Sequence, residues 1–366
     1  MTIIKLQKRK GVYMIINAIF FYIGQKSPHP FHLKIVNKIC KILNCRLMLI
    51  ERLPPPELNP ISEVRELNKM AKLPKADLYF CEGLQGTFYL ARSFGVIPKS
   101  SKTINILAEP LAFLDFPQNA KWRLLRHKFA KRLLSKYLNQ NTLNIIIGSM
   151  YTKLLKNDFK IKNYIEMPAG INNLLFDKLV KIRPDLSSNK IVILASLTSP
   201  ERVKWKGIDI ARKAMDEIVK VAPKVKLEVI GEYLPEVKQE YETDYFRFLG
   251  FKKDLKKELE NYSLALSLGF GDAFPTASLE TMLAGIPTIT SNMIGTSKVA
   301  GKVDKEFVAN YFDMQDITGK IERYLNLSLK EKEALSKKSG GVAKEFKSSK
   351  IINSYINKNT IKRYFN

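Results

Sequence analysis

The amino-acid sequence predicts an α/β protein made of two doubly wound domains, each built on a parallel β-sheet. Strand-like and helix-like stretches alternate along the chain, and this rhythm lapses once, in the polar stretch 181–189, before it starts again. The 366 residues are enough for two domains that each bury a core. A hydrophobic share of 45% with 26% charged residues is typical of globular proteins and excludes a disordered or fibrous chain.

The first half of the sequence predicts six strands. They are apolar runs bounded by turn residues, which is typical of strands that are buried on both faces of a parallel sheet. We place these strands at residues 15–23, 45–53, 76–83, 103–110, 143–149 and 164–170. Segments with helical patterns lie between them, at residues 32–43 and 85–95 and in a long basic stretch that ends at Tyr137.

The first apolar run, residues 12–24, has a second interpretation. It follows four basic residues between positions 5 and 10, and a basic segment before a short apolar run also fits a signal peptide. The run is rich in β-branched and aromatic residues, no small-residue cleavage site follows it, and a turn cluster closes it. We therefore favour a buried first strand, with Met14 as an alternative start of the protein.

The second half repeats the pattern. We place strands at 190–197, 225–232, 246–251, 263–270 and 286–291, and helices at 208–221, 253–261 and 278–284. The last ~35 residues have helical patterns, with turn signals at Gly340 and Gly341. The expected domains are residues 1–180 and 181–345, followed by a C-terminal helix at 346–366 that crosses back to the first domain.

The composition excludes some kinds of site. Three cysteines cannot all pair, and they form no CxxC motif, so neither a disulfide framework nor a structural zinc site is expected. The three histidines lack the spacing of metal ligands, and we predict no metal site.

The net charge of +26 is concentrated in the first half of the chain. Residues 1–180 hold 29 Lys+Arg and 11 Asp+Glu, a balance of +18, whereas residues 181–366 hold 32 and 24, a balance of +8. This asymmetry indicates an anionic partner for the first half, such as nucleic acid, a membrane surface or a phosphorylated substrate. A lysine-rich genome is an equally simple explanation of the overall excess.

The segment 269–295 has the strongest functional signal. Its strand ends in a turn with Gly269 and Gly271, and glycine lets the backbone approach a ligand closely. A helix then begins near Pro275, and its free N–H groups and positive dipole end form an anion site. Asp272 before the helix and Glu280 inside it flank this site, and a carboxylate beside a phosphate suits sugar hydroxyls. Two such domains that face each other leave a cleft for this ligand at the carboxyl ends of their sheets.

The stretch D-A-F-P-T-A-S-L-E-T-M-L-A-G-I-P-T-I-T-S, residues 272–291, resembles the acidic-x7-Glu signature of GT-B glycosyltransferases. The closest pattern is that of the retaining, nucleotide-sugar-dependent family usually numbered four, whose form is E-G-F-G-x-x-x-L-E-A-M-A-x-G-x-P-V-I. Asp272 stands where the first Glu is usual, and Glu280, Gly285 and Pro287 match.

Further segments resemble the same family. K-W-K-G-I-D, residues 204–209, resembles the Lys-Gly turn whose lysine contacts the donor diphosphate, and F-L-G-F, residues 248–251, resembles the loop that borders the nucleotide base. Weaker matches in the first half are A-D-L-Y-F-C-E-G, I-I-I-G-S-M-Y-T-K-L-L and M-P-A-G-I-N-N-L-L-F. Together the matching segments cover most of the chain and imply a GT-B fold of two Rossmann-like domains.

The resemblance implies roles for individual residues. Glu280 would accept hydrogen bonds from the donor ribose, Asp272 would hydrogen-bond the donor sugar, and Lys206 would neutralise the departing diphosphate. The other donor-side residues that it implies are Gly271, Thr276, Ala277, Ser278, Ser196, Arg202 and Phe251. The acceptor-side residues that it implies are Gly24, His29 and Glu109.

The sequence departs from the family pattern at three positions. Ser196 stands where an arginine is usual, and Arg202 or Lys204 would have to replace that arginine. Glu109 occupies the neighbourhood of a usual histidine, and Ala169 stands for a usual asparagine. The departures leave open a catalytically inactive GT-B scaffold.

The resemblance implies an enzyme that transfers a sugar from a nucleotide sugar to a lipid-linked, glycan or protein acceptor, with retention and with neither a metal nor another cofactor. A basic nucleic-acid-binding protein is the alternative from another class. No RNP-like motif, zinc knuckle or interleaving of aromatic residues with arginine supports it.

The segment 121–136 predicts a basic amphipathic helix. It contains seven Lys/Arg and no acid, and its apolar residues recur at helical spacing. Such a helix suits an anionic membrane surface, although its apolar stripe could instead pack on its own sheet, and nucleic acid is a third possibility. We expect a cytoplasmic protein, or one bound peripherally to the inner face of the membrane.

Overall fold

The computed structural model describes residues 17–23, 29–52, 71–73, 75–83, 91–108, 132, 135–148, 150 and 152–365. These residues divide into two compact units. Unit 1 runs to Met167 and includes the tail from Ile352, and unit 2 is Pro168–Ile351. Each unit contains a six-stranded, all-parallel sheet, so the α/β class predicted from the alternating pattern is confirmed.

Twelve strands and thirteen helices are described. The strands are β1 Asn17–Ile23, β2 Arg46–Arg52, β3 Leu78–Glu82, β4 Lys102–Leu107, β5 Leu143–Ile147, β6 Tyr164–Met167, β7 Lys190–Leu194, β8 Lys226–Ile230, β9 Phe246–Gly250, β10 Leu264–Ser267, β11 Thr288–Ser291 and β12 Val308–Ala309. The helices are α1 Pro30–Leu43, α2 Thr152–Phe159, α3 Asn173–Leu179, α4 Pro200–Lys206, α5 Ile208–Val221, α6 Pro235–Tyr241, α7 Leu255–Leu259, α8 Thr276–Leu283, α9 Ser297–Val303, α10 Met314–Leu325, α11 Leu329–Ala343, α12 Ser348–Tyr355 and α13 Lys358–Phe365.

The sheet of unit 1 has the strand order β2-β1-β3-β4-β5-β6. Every residue of β3 and of β5 is buried, because helices cover both faces of a parallel sheet. Phe20 and Phe80 pack edge to face on the central strands, with ring centroids 6.2 Å apart. The order reverses direction between β1 and β3, and such a switch point is where open α/β sheets bind ligands.

The sheet of unit 2 has the order β12-β11-β10-β7-β8-β9. Helix α5 shows why these sequences become helices, since its buried residues Ile208, Ala211, Met215 and Ile218 recur at helical spacing. The switch point lies between β7 and β10, and the carboxyl ends of both strands therefore lead into one crevice.

The division between the units falls earlier than the expected linker at 181–189. Helix α3 buries Phe176 and Leu179 in the core of unit 2, and Ile182 joins the same core. These apolar contacts group residues 168–180 with unit 2. At the other end the division falls inside α12, so α13 packs in unit 1, where the Tyr364 hydroxyl donates to the carbonyl oxygen of Tyr164 over 2.9 Å.

The prediction of a turn at Gly340 and Gly341 is wrong. Helix α11 starts with a capping box between Ser328 and Glu331 and runs through both glycines to its end at Ala343. It packs on α8, where a Cβ added at Gly340 would lie 3.8 Å from the carbonyl oxygen of Leu283. Tertiary packing thus overrides the weak local preference of glycine for a turn.

Three further findings bear on the predictions. Helices α4 and α6 were missed, although each has proline in its first turn, which is a recognised helix start. No helix among the described residues is long and apolar enough to cross a membrane. The predicted amphipathic helix at 121–136 falls outside the described residues apart from Arg132, Ser135 and Lys136.

Candidate functional site

A cavity of about 290 Å³ lies at the carboxyl ends of β7, β8 and β9 in unit 2. The loops after these strands, together with α4 and α8, supply its polar and charged groups. Seven residues singled out from the sequence line it: Ser196, Arg202, Lys206, Phe251, Thr276, Ala277 and Glu280. The parallel topology brings them together because all of these strands point their carboxyl ends at the same edge.

Helix α4 delivers two cations to the cavity. Arg202 and Lys206 are four residues apart, so they lie on the same face of this short helix. The guanidinium of Arg202 donates to the carbonyl oxygen of Ser196 over 3.5 Å, beside the position where the family pattern has its arginine. Lys204 is exposed and lines a different cavity, so of the two candidates for the missing arginine only Arg202 reaches this site.

Lys206 forms an ion pair with Asp272. The distance between Nζ and Oδ2 is 2.6 Å, which is a short charge-assisted hydrogen bond. Asp272 does not line the main cavity but a small recess next to it, into which Lys206 and Ala277 also extend. The pair therefore links the end of α4 to the loop after β10.

Close packing of two backbone turns fixes this ion pair. Gly207 ends α4 in the left-handed conformation, at φ 69°, and a Cβ there would lie 2.0 Å from the carbonyl oxygen of Leu268. A Cβ on Gly269 would lie 2.3 Å from the carbonyl oxygen of Trp205. No side chain fits at either position, so both glycines are needed for the approach.

Glu280 lies on α8 and is mostly buried beside the cations. Burial raises the pKa of its carboxyl above the usual value, while a hydrogen bond with the Thr276 side chain and the charge of Lys206 act in the opposite direction. A carboxylate in this setting gains from ligand groups that donate hydrogen bonds to it.

The N-terminus of α8 offers backbone donors to the same cavity. Its N-cap, Pro275, provides no side-chain cap, and its first turn contains no acid. The Ser278 hydroxyl donates to the Ser267 hydroxyl over 2.9 Å and accepts from the Thr296 hydroxyl over 3.2 Å. These bonds hold the Ser278 side chain inside the unit, so this residue can offer a ligand only its backbone.

Other predicted residues border the cavity. Phe251 follows β9 and is 69% exposed, which leaves an aromatic face open to a ligand. Gly271 has φ 78°, and its N–H donates to the carbonyl oxygen of Met293 over 2.9 Å, so it shapes the turn before Asp272. Lys252 directly follows Phe251 and is a third cation on the cavity that was not predicted from the sequence. Lys252 directly follows the F-L-G-F segment, and this position could have indicated that it lies at the same cavity.

The predicted acceptor-side residues are less completely described. Gly24 and Glu109 lie outside the described residues. His29 is the N-cap of α1, and its ring centroid is 4.6 Å from that of His32. Partial burial of the ring, followed by the charge of His32, lowers the pKa of His29 to about 4, so this ring is neutral at pH 7.

A buried pair in unit 1 was missed altogether. Nδ1 of His32, in the first turn of α1, contacts a carboxylate oxygen of Glu82, the last residue of β3. Both residues are buried at the switch point of the sheet. Within the described ranges, no group of three or more His, Cys, Asp or Glu residues could hold a metal ion, and this includes the present pair with His29.

Comparisons with known proteins point to one class. Residues 195–340 match the family model of the glycosyl transferases group 1, and this stretch contains every donor-side residue named above. No curated protein matches the sequence.

Solved structures of the same architecture cover nearly the whole chain. They include a glycosyltransferase from Rickettsia africae ESF-5, at a TM-score of 0.67 and 13% identity, over 96% of this chain and 99% of that chain. A sucrose-phosphate synthase from Thermosynechococcus elongatus has a TM-score of 0.68 at 14% identity, over 93% and 97%. The Anabaena HepE protein in complex with UDP and glucose has a TM-score of 0.63 at 16% identity, over 93% and 98%. At these identities the likeness shows the fold, which is GT-B.

Proposed function

We propose that this protein, a GT-B glycosyltransferase with a group 1 domain at residues 195–340, transfers a sugar from a nucleotide diphosphate sugar to a hydroxyl acceptor and retains the configuration of the anomeric carbon. One observation supports this most strongly. Three cations, a helix N-terminus and a carboxylate converge on one cavity at the carboxyl edge of the second sheet.

Each group has a match in the proposed donor. Arg202, Lys206 and the free N–H groups of α8 suit the two negative charges of a diphosphate. Glu280 suits the ribose, whose hydroxyls donate to a carboxylate, and Phe251 suits the face of the base. Asp272 suits the hydroxyls of the transferred sugar. The Anabaena HepE structures contain UDP, UDP-glucose and glucose, which supports a nucleotide sugar as the donor class.

In the proposed reaction the bond between the anomeric carbon and the diphosphate oxygen breaks, and a bond from this carbon to the acceptor oxygen forms on the same face. The proton of the acceptor hydroxyl moves to the departing phosphate oxygen, so no strong protein base is required. The main task of the protein is to stabilise the negative charge that develops on the diphosphate, which Lys206 and Arg202 would do. No metal ion is part of the proposal.

Thermal-shift measurements with a panel of UDP- and GDP-sugars test the proposal. At least one donor should raise the melting temperature, and Glu280→Ala should abolish the shift. Glu333→Gln, an exposed glutamate on α11, is the matched control and should leave the shift intact. No shift with any donor, together with no effect of Glu280→Ala, would reject the enzyme and favour an inactive scaffold. DNA binding that persists well above ~200 mM salt would favour a nucleic-acid-binding protein.

We propose a glycan or a lipid-linked molecule as the acceptor, and a cytoplasmic location with the reaction at the inner face of an anionic membrane. The support is the charge of +18 on residues 1–180 and the seven basic residues of the segment 121–136. Flotation with phosphatidylglycerol vesicles should carry the protein, and phosphatidylcholine vesicles should not. Replacement of the four basic residues between positions 121 and 128 by glutamine should abolish flotation, and unchanged flotation would contradict this surface.

A further inference from the structure

The ion pair between Lys206 and Asp272 joins two groups to which a nucleotide sugar would bind. Their side chains are 26% and 23% exposed, so the pair is shielded from water but remains reachable. A diphosphate that binds Lys206 competes with the carboxylate of Asp272 for the same ammonium group. A ligand can therefore use Lys206 fully only if Asp272 finds another donor.

The backbone that carries the two residues is held firmly. The N–H of Phe270 donates to the carbonyl oxygen of Trp205 over 3.0 Å, which ties the loop after β10 to the end of α4. The carbonyl oxygen of Asp272 accepts from the N–H of Gly295 over 2.9 Å. Asp272 can thus change its side-chain partner but stays close to Lys206 in every case.

The local charges make the competition unfavourable for a bare diphosphate. Arg202, Lys206 and Lys252 line the cavity together with Glu280, and Lys206 is the cation paired with Asp272. Lys252 is also 3.7 Å from Glu258. Diphosphate oxygens on Lys206 would leave the partly buried Asp272 carboxylate beside another anion. A sugar attached to the diphosphate removes this penalty, because its hydroxyls donate to the released carboxylate.

We propose that Asp272 sets the preference of the site for sugar-bearing nucleotides over free nucleoside diphosphates. The carboxylate exchanges Lys206 for the sugar hydroxyls when the donor binds. It takes Lys206 back when the sugar has been transferred, and this return weakens binding of the nucleoside diphosphate product. The inference rests on the proposed function and adds to it a means of product release.

Isothermal titration calorimetry with UDP, GDP, UDP-glucose and GDP-mannose tests the exchange. Asp272→Asn keeps the size of the side chain and removes its charge. We expect the variant to bind the better nucleoside diphosphate about tenfold more tightly than the wild type does. Its preference for the corresponding nucleotide sugar should fall by about the same factor. Asp244→Asn, which removes an exposed carboxylate from the loop before β9, should change neither quantity.

A Lys206→Met background distinguishes exchange from general electrostatics. If Asp272 acts through Lys206, Asp272→Asn should no longer strengthen diphosphate binding once the ammonium group is gone. Diphosphate affinity that is unchanged or weaker in Asp272→Asn, with the preference for the nucleotide sugar intact, would overturn the inference while the proposed function stands. If none of the four ligands binds the wild type, and the donor panel gives no thermal shift, both fail.

Discussion

Each unit contains a six-stranded parallel sheet, and the two sheets have different pairs of polar side chains at their carboxyl edges. In unit 1 the pair of His32 and Glu82 has side chains that are 8% and 7% exposed, and in unit 2 the pair of Lys206 and Asp272 is 26% and 23% exposed. A nearly inaccessible pair fixes orientation, and removal of one partner leaves a buried charge. A more open pair contributes less to stability and can exchange partners with a ligand. We therefore expect the same edge to serve stability in one unit and ligand binding in the other.

The largest loss of stability is expected when a substitution disrupts the close backbone contact that supports the Lys206–Asp272 pair in unit 2. Gly207→Val should destabilise unit 2 by about 4 kcal/mol, because its Cβ would overlap the carbonyl oxygen of Leu268 and its φ is positive. Urea denaturation monitored by circular dichroism measures this. Gly319→Ala in α10, where nothing lies within 4 Å of an added Cβ, is the control and should raise stability by up to about 1 kcal/mol. Equal effects of the two substitutions would contradict the tight contact.

The pair in unit 1 should come next. His32→Ala should cost about 3 kcal/mol of unfolding free energy, since it leaves the Glu82 carboxylate without this partner inside unit 1. The same denaturation measurement applies, and nucleotide binding by unit 2 should be unchanged. A cost below 1 kcal/mol would remove the contrast between the two edges.

Lys206→Met should weaken ligand binding more than stability, which is the reverse of the pattern expected for His32→Ala. We expect a loss of less than about 1 kcal/mol in stability, because the pair is partly open to solvent. Nucleotide-sugar affinity should fall by at least about tenfold, because a charged hydrogen bond to the diphosphate is lost. Calorimetric titration and denaturation of the same sample give both values. A variant that is strongly destabilised but binds the nucleotide sugar normally would indicate that this pair stabilises the fold, as expected for the pair in unit 1, and does not bind the ligand.

A modest effect that depends on pH is expected for Glu280. Its raised pKa means that the folded state holds this proton more tightly than the unfolded state. The associated stability is present at low pH and is lost as the pH rises through the raised pKa. Glu280→Gln should therefore be more stable than the wild type by about 1 kcal/mol at pH 7 and should lose this advantage towards pH 4. Urea denaturation between pH 4 and 8 measures the difference, and a gap that is constant with pH would contradict it.

Glu280→Gln should also weaken binding of the nucleotide. In the wild type, nucleotide affinity should fall on acidification more steeply than in the variant, because burial raises the pKa of Glu280 and its carboxylate is protonated at a higher pH than that of an ordinary glutamate. The variant serves as the control for protonation of the phosphate itself.

Much of the fold and of the site in unit 2 could be predicted because the signals are local. Asp272, the helix start at Thr276 and Glu280 lie within nine consecutive residues, so a single motif encodes their geometry. Lys206 was found through its Lys-Gly turn. The partnership of Lys206 with Asp272 could not be predicted, since it depends on backbone contacts across 66 residues of sequence.

The pair of His32 and Glu82 in unit 1 could not be predicted from the sequence. His32 and Glu82 are 50 residues apart, and each looks unremarkable in its own segment. The pair exists only because β1 and β3 are neighbours in the sheet, whereas the sequence suggests no strand order. The turn predicted at Gly340 failed for a related reason, since contact with α8 decides the conformation there.

A crystal structure with a nucleotide sugar bound tests the central claim most directly, which is that the donor binds at the carboxyl edge of the unit 2 sheet. We expect diphosphate oxygens within about 3.2 Å of Nζ of Lys206 and of the first N–H groups of α8, with the ribose hydroxyls on Glu280. The Asp272 carboxylate should have left Lys206 for the sugar. A nucleotide bound elsewhere, with Lys206 and Asp272 still paired, would contradict the account.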